Sequence, residues 1–194
     1  MAPTLYQTLL GAAFFRLPDT LRALHGVHGT ARYSGQVTVV RGTGLLSRLC
    51  ARIAGLPRAM ADAPVVVDFA SGPKGEVWSR VFGAPPKVSR LRSKLWHRDG
   101  QLRERLGPLQ VRFVLHTWDG TIFWNVVGVR AFGVFPLPAA LFRDVRCNER
   151  ERDGRYAFEV EAALPLIGLL VRYHGWLAPA FGDADPRESD GHRR

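Results

Sequence analysis

Three stretches decide the fold: Arg98-Asp99-Gly100-Gln101, Trp118-Asp119-Gly120-Thr121 and Arg152-Asp153-Gly154-Arg155. Each Asp-Gly pair lies between segments in which apolar and polar residues alternate, the pattern of two antiparallel strands joined by a two-residue turn. Such a turn needs positive φ at both central residues, where glycine has no Cβ to clash and aspartate is tolerated. The sequence therefore predicts an antiparallel β protein.

The size and composition of the chain fit one globular domain. Of the 194 residues, 46% are hydrophobic and 23% are charged, which excludes bulk disorder. We expect the domain to cover residues 1–179. Residues 180–194 contain few apolar side chains, so we expect a disordered tail, because such a segment cannot offset the entropy lost on ordering.

The charge balance predicts an anionic partner. The net charge is +10, from 27 Lys and Arg against 17 Asp and Glu, and this favours phosphates, anionic lipid or an acidic protein, with little weight on nucleic acid. Cys50 and Cys147 lack the spacing of a disulfide framework or a metal site. No signal peptide or membrane span is expected. We expect a cytoplasmic protein, whose charge is compatible with a position at the periphery of a membrane.

Hydrophobic periodicity predicts helices near the N-terminus and strands after them. Helical spacing covers 5–17, ending at Pro18, then 19–24, then 45–53 with Thr43 as the cap. The third helix carries an apolar stripe of Leu45, Leu46, Leu49, Cys50 and Ile53. A helical crossover is predicted over 136–142. The predicted strands are 29–41, 65–70, 76–82, 87–98, 101–117 with a kink at Gly107-Pro108, 121–129, 145–152, 155–164 and 169–177.

These elements predict an α+β fold. Both faces of the hairpin around Asp119-Gly120 are largely apolar, so this part of the sheet should be covered on both sides. We expect a strongly curved antiparallel β-sheet of about eight to ten strands, an open or half barrel, with the N-terminal helices packed on one face. The remaining apolar face then closes over a core or over a ligand cavity.

The sequence offers no metal, cofactor or catalytic motif. His25 and His28 are three residues apart, but Gly26 breaks that helix, so we interpret them as part of a loop that leads into the first strand. Glu104 and Glu149 are candidates for paired acid and base catalysis. Since both have arginine neighbours in the sequence, ion pairs on a solvated sheet face are the favoured interpretation.

Many segments of the chain follow one pattern: Leu5-Tyr6, Leu9-Leu10-Gly11, Phe14, Leu21-Arg22-Ala23-Leu24-His25-Gly26, Gly55-Leu56-Pro57, Trp78-Ser79-Arg80-Val81-Phe82-Gly83, Glu104-Arg105, Gly107-Pro108, Pro136-Leu137-Pro138, Leu164-Pro165-Leu166, Gly168-Leu169-Leu170-Val171-Arg172-Tyr173 and Gly175-Trp176-Leu177. These segments resemble an uncharacterised bacterial family, domain of unknown function forty-one sixty-six. The resemblance covers about 5–179 and implies the domain extent. It implies no catalytic residue, and domains of this kind are found alone or fused to saccharopine-dehydrogenase-like modules or multi-pass membrane segments. The chain departs from the pattern at Arg58-Ala59-Met60-Ala61.

Three hypotheses about function follow. The first is a non-enzymatic binding module for a small apolar or amphipathic ligand, whose acidic head group the arginines would orient. Its predicted lining residues are Trp78, Arg80, Glu104, Arg172, Tyr173 and Trp176.

The second hypothesis is a docking module for an oxidoreductase or a membrane protein. Its surface would be a basic ridge of Arg90, Arg92, Lys94 and Arg98 with Trp96 among them, for which a solvated edge strand is the alternative interpretation. The third hypothesis is an enzyme with an unidentified substrate that uses Glu104 and Glu149 as acid and base.

Overall fold

The computed structural model describes residues 2–180, and these contain eleven strands. All strand pairs are antiparallel. In chain order the strands are β1 (Gly29–Arg41), β2 (Met60–Gly72), β3 (Gly75–Phe82), β4 (Ser89–Arg98), β5 (Gln101–Leu106), β6 (Leu109–Trp118), β7 (Thr121–Ala131), β8 (Phe135–Leu137), β9 (Val145–Arg152), β10 (Arg155–Leu164) and β11 (Gly168–Pro179). The tail predicted over 180–194 lies, apart from its first residue, outside the described residues.

The helices are short, and a side-chain cap marks the start of α1. They are α1 (Leu5–Leu10), a 3₁₀ helix (Gly11–Arg16), α2 (Asp19–His25), α3 (Leu45–Ile53) and a second 3₁₀ helix (Ala139–Phe142). Thr4 begins α1 with a capping box, in which its hydroxyl accepts from the Gln7 backbone and the Gln7 side chain accepts from the Thr4 backbone. No helix within residues 2–180 has both the length and the apolar character needed to cross a bilayer.

The sheet closes on itself. Its strands follow the order β6-β5-β4-β3-β2-β1-β11-β10-β9-β7, and the β6–β7 hairpin joins the two ends into a ten-stranded barrel, with β8 attached to β7. The expectation of an antiparallel sheet with a few helices is confirmed, but the expectation of an open or half barrel is wrong. Closure depends on the β1–β11 and β7–β9 pairings, which join segments that no local turn connects.

The barrel has two distinct ends. One, the turn end, carries the Asp99-Gly100, Asp119-Gly120 and Asp153-Gly154 turns, in which all six residues have positive φ as the sequence predicts. Helices α1 and α2 cover this end and contact β4, β6, β9 and β10. The opposite end, the mouth, is formed by α3, the β7–β8 turn, the second 3₁₀ helix and the β10–β11 turn.

Several predicted elements differ from the structure. The helix predicted over 5–17 is α1 followed by a 3₁₀ helix, and the cap of α3 is Gly44, without a side-chain hydrogen bond, instead of Thr43. The strand predicted over 101–117 is two strands, because Gly107 adopts a φ of +54° and the chain turns back there instead of kinking. The segment 136–142 begins as the short strand β8 before its 3₁₀ turn. Strand β4 pairs on both sides, with β3 and β5, so the basic ridge does not lie on an edge strand.

Candidate functional site

A cavity of about 180 Å³ lies inside the barrel. Its lining runs from Trp78, Trp124 and Tyr156, next to the helices of the turn end, to Leu56 and Phe142 at the mouth. The wall is mainly apolar, because alternate residues of every strand point inward. An apolar cavity of about 150 Å³ is large enough to bind benzene. The barrel therefore has room for a small organic molecule.

Arg80 extends into the cavity from β3. It follows Trp78 by two residues and so lies on the same face, with its guanidinium carbon 4.8 Å from the Trp78 ring centroid. One terminal nitrogen donates to the Ser93 hydroxyl at 3.0 Å. The other lies 3.9 Å from Glu104 Oε1, beyond hydrogen-bond distance. Arg80 and Glu104 thus balance each other's charge while leaving N–H donors and carboxylate acceptors for a third group.

A second carboxylate, Glu149, enters the cavity from β9. His25 Nε2, at the end of α2, donates to Glu149 Oε2 at 2.7 Å, and both side chains are almost wholly buried. Burial, the charge of Glu149 and a hydrogen bond to Glu149 raise the pKa of Tyr156 well above its usual value. Tyr156 therefore stays protonated and serves as a donor. His25 holds Glu149 by a hydrogen bond, whereas Glu104 has only the longer contact with Arg80.

Two donors beside the cavity lack a hydrogen-bond partner within residues 2–180. They are the Tyr6 hydroxyl and the indole nitrogen of Trp124. Tyr6 stacks on His25 with ring centroids 3.6 Å apart, and burial, with the nearby Glu149 and Glu76 charges, raises the Tyr6 pKa well above its usual value. Trp124 lines the cavity itself, so its N–H is a further group that a ligand oxygen can satisfy.

Glu76 is a third buried acid, at the turn end of β3. The Trp78 indole donates to Glu76 Oε2 at 2.9 Å. Burial raises the pKa of Glu76, and the Trp78 hydrogen bond opposes that shift in part. Because Glu76 does not line the cavity, we assign it to the support of the Trp78 side chain.

Cys147 and Tyr173 complete the polar part of the cavity wall. Burial raises the pKa of the Cys147 thiol well above its usual value, and burial likewise raises the pKa of Tyr173. A thiol kept protonated in this way is a weak nucleophile. These two side chains are therefore suited to packing and hydrogen bonding rather than to covalent chemistry.

Four of the six predicted lining residues meet in this cavity: Trp78, Arg80, Glu104 and Tyr173. The other two, Arg172 and Trp176, lie on the outside of the barrel. Arg172 Nε donates to Glu161 Oε2 at 2.6 Å, and this hydrogen bond lowers the pKa of Glu161. The guanidinium carbon of Arg155 lies 4.1 Å from the centroid of the Trp176 ring. Neighbouring residues of a strand point to opposite faces, so Arg172 and Tyr173 face opposite sides.

Two interpretations of the sequence are wrong. His25 is not in a loop: it ends α2 and is buried against Glu149. Glu104 and Glu149 are not on a solvated sheet face but buried inside the barrel. Glu149 follows Cys147 by two residues and therefore lies on the same face of its strand. His25 follows Leu21 by four residues and therefore lies on the same face of its helix. These two spacings are what could have identified the residues from the sequence. Tyr6 and Tyr156 were not identified as site residues.

The basic ridge lies away from the cavity. The outer face of β4 exposes Arg90, Arg92 and Lys94. At the end of this strand, Arg98 Nε lies 3.6 Å from Asp99 Oδ2. Docking of an oxidoreductase or a membrane protein on this ridge stays a prediction.

The fold and the interior site define a class of protein, the closed antiparallel β-barrel with an internal and mainly apolar cavity. Within that class, the chain belongs to the family described as Domain of unknown function (DUF4166), whose model matches residues 17–177. The family resemblance of the sequence is confirmed. A comparison with curated proteins gives no match for the chain.

Proposed function

We propose that this protein is a non-enzymatic binding module that holds a small amphipathic ligand inside its barrel. The observation that carries the proposal is one cavity of about 180 Å³ with an apolar wall into which Arg80 and Glu104 both project. Sites for small molecules have this make-up, in which an apolar wall supplies affinity and a few polar groups fix the orientation.

The Arg80–Glu104 pair supports a polar head group between or beside the two side chains. A buried arginine is expensive unless its charge and its N–H groups are matched. Glu104 lies 3.9 Å away and Ser93 takes one donor. A ligand group that accepts from Arg80 and donates to Glu104 completes both sets of hydrogen bonds.

The same geometry favours an uncharged head group. The acidic head group expected from the sequence relied on Arg80 and Arg172 acting together, but Arg172 lies outside the barrel and pairs with Glu161. An ionised head group at Arg80 would also be repelled by Glu104. A primary amide, an alcohol or a protonated carboxylic acid suits the pair better, with the apolar part of the ligand against the strand side chains.

The first test is native mass spectrometry of the gently purified protein, followed by solvent extraction and identification of what is released. An added mass that persists at high salt supports an interior ligand, because apolar burial is not screened by ions. A protein that carries no added mass and binds none of the probes below would overturn the proposal.

The second test measures the affinity of three matched probes, hexanamide, 1-hexanol and sodium hexanoate, by calorimetry at neutral pH. We expect the amide and the alcohol to bind more tightly than the carboxylate. Arg80→Met should weaken amide binding about tenfold, the loss of one charge-assisted hydrogen bond. Arg172→Ala is the matched control on the outer surface and should bind as the parent does.

A filled cavity gives a third, independent arm of the test. Ala162 lines the cavity on β10, so Ala162→Phe should displace the ligand while circular dichroism reports an intact barrel. If this folded variant binds the probes as tightly as the parent, the ligand binds elsewhere and the proposal is wrong.

One observation favours a second candidate, an enzyme that uses Glu104 and Glu149 as acid and base. Both carboxylates line the same cavity, which general acid–base catalysis requires. The test incubates the ligand recovered from the protein with fresh protein and follows its mass. Conversion that is abolished in Glu104→Gln and Glu149→Gln supports the enzyme, and an unchanged ligand supports the binding module.

A further inference from the structure

The mouth of the barrel exposes large apolar side chains that the rest of the surface mostly lacks. They come from four separate segments: α3, the β7–β8 turn with the first residue of β8, the second 3₁₀ helix and the β10–β11 turn. We call their exposed apolar side chains the mouth rim. Its members are Leu45, Leu46, Leu49, Ile53, Phe132, Val134, Phe135, Leu141 and Leu166.

Helix α3 is amphipathic, but its small residues face the barrel and its large apolar residues face outward. Ser47 and Ala51 are buried against the barrel, and the Ser47 hydroxyl donates to the Leu169 carbonyl. The apolar stripe faces away from the protein, with Leu45 78% exposed. A helix that stabilises its own domain buries its apolar stripe. The outward stripe therefore contributes little to the fold and is available to something outside it.

Two rim residues occupy strained positions. Phe132 and Leu166 have φ of +54° and +67° at the tips of their turns, a region where bulky side chains are rare. Glycine would relieve that strain. Large apolar residues at such exposed positions indicate that they act in something other than folding.

The segments of the mouth rim are neighbours at the mouth end of the cavity. Helix α3 packs on β11, the β10–β11 turn follows, and the second 3₁₀ helix contacts both β10 and β7. The cavity lining includes Leu56, which follows α3, and Phe142, which ends that 3₁₀ helix. The apolar side chains thus flank the end at which the cavity approaches the surface.

The mouth is the more basic of the two ends of the barrel. The exposed bases Arg48, Arg52, Arg58, Lys87 and Arg130 lie in or next to the loops of the mouth. At the turn end the exposed acids Asp19, Asp99, Asp119, Glu151 and Asp153 lie among exposed bases, which include Arg16, Arg22, Arg98 and Arg152. An apolar surface bordered by arginines is the pattern of a segment that inserts at the boundary between headgroups and acyl chains, with its cations near the lipid phosphates.

We propose that the mouth docks on the surface of an anionic lipid bilayer, with the mouth rim inserted among the headgroups and the arginines on lipid phosphates. This inference rests on the rim and its charge and does not depend on the interior ligand. The protein would approach the bilayer with the turn end and its acids directed away.

The test is flotation of the full chain with vesicles of phosphatidylcholine alone or with one third phosphatidylserine. We expect binding to the anionic vesicles that weakens between about 0.05 M and about 0.5 M salt. Arg48→Gln with Arg52→Gln should lower partitioning about fivefold for each arginine removed. Arg16→Gln with Arg152→Gln is the matched control, because these exposed arginines lie at the turn end.

Apolar insertion has its own pair of variants. Leu49→Ser with Phe132→Asn should abolish flotation, and asparagine tolerates the positive φ of Phe132. Trp118→Ser removes an exposed aromatic from the turn end and should float as the parent does. Urea unfolding checks that each variant is folded.

The following outcomes would overturn the proposal. The first is that the protein does not float with anionic vesicles. The second is that the turn-end control variants lose as much vesicle binding as the mouth variants. The third is that light scattering shows a dimer, which Leu49→Ser with Phe132→Asn dissociates. In the last case a second copy of the chain occupies the mouth. Probe binding in the cavity is measured without lipid, so failure here leaves the ligand proposal standing.

Discussion

His25 and Glu149 meet inside the barrel, with 2.7 Å between Nε2 and Oε2, although 124 positions separate them in the chain. His25 ends α2 and Glu149 belongs to β9, so this hydrogen bond ties the helical cover of the turn end to the barrel wall. Tyr6 stacks on His25 from α1. The packing of both N-terminal helices therefore meets at this pair.

Loss of His25 should be strongly destabilising. In His25→Phe the Glu149 carboxylate stays buried without its main partner, and we expect the free energy of unfolding to fall by about 3–5 kcal/mol in urea titrations. His25→Phe with Glu149→Leu removes both polar groups and should recover part of that loss. The control is Glu159→Gln on the outer face of β10. Equal costs for His25→Phe and Glu159→Gln would contradict the role of the pair.

Glu76 should make stability fall as pH rises. Burial raises its pKa in the folded protein above the ordinary value of 4.5, so the folded state binds the proton more tightly than the unfolded state. The stabilisation from that proton is complete below about pH 4.5 and is lost as pH rises through the folded pKa. Glu76→Gln keeps an acceptor for the Trp78 indole and should remove this dependence.

The measurement is urea unfolding of the parent and Glu76→Gln at several pH values. We expect the variant to gain stability relative to the parent as pH rises from about 4 to about 8. Asp68→Asn, on the outer face of β2, is the control. A difference between parent and Glu76→Gln that stays constant over this range would contradict the raised pKa.

Helix α3 should respond to substitution in the opposite way from an ordinary amphipathic helix. Ala51→Leu places a large side chain on the face packed against the barrel and should lower the free energy of unfolding by about 1–3 kcal/mol. Leu49→Gln changes an exposed side chain and should stay within about 0.5 kcal/mol of the parent. Both are measured in urea. The reverse ranking would mean that the apolar stripe packs inward.

Gly175 should be intolerant of a side chain because β1 and β11 pair closely there. A Cβ at Gly175 would overlap the Gln36 carbonyl oxygen and lie 2.9 Å from Phe158 Cζ. Gly175→Ala should therefore lower the free energy of unfolding by about 1–3 kcal/mol. At Gly72 a Cβ meets nothing within 4 Å, so Gly72→Ala is the matched control. If thermal or urea midpoints fall equally in both variants, this pairing is not the reason.

Local elements were well predicted where the signal was local. The Asp-Gly turns, the strands 29–41, 145–152 and 155–164 and the helix 45–53 have the bounds expected from alternation and helical spacing. Gly107-Pro108 was harder to interpret, since a kink and a turn use the same residues and only pairing of β5 with β6 distinguishes them.

The candidate site was predicted in part. Trp78 and Arg80 are two residues apart on β3 and so lie on the same face, and both line the cavity. Arg172 and Tyr173 were grouped although adjacent strand residues face opposite sides. The contact between Glu149 and His25 depends on α2 lying across the end of β9. The alternation of β9 and the helical spacing of α2 indicate which face each residue lies on but not that the two segments meet.

By itself, the sequence determined most of the strands, the Asp-Gly turns and which residues share a face, because these follow from the two-residue period of a strand and from glycine at positive φ. Only the tertiary structure decided that the sheet closes, which face is inside and which carboxylates meet there. Closure requires β1 to pair with β11 and β7 with β9. Alternation specifies how a strand pairs but not its partner, so these contacts arise only when the whole barrel assembles.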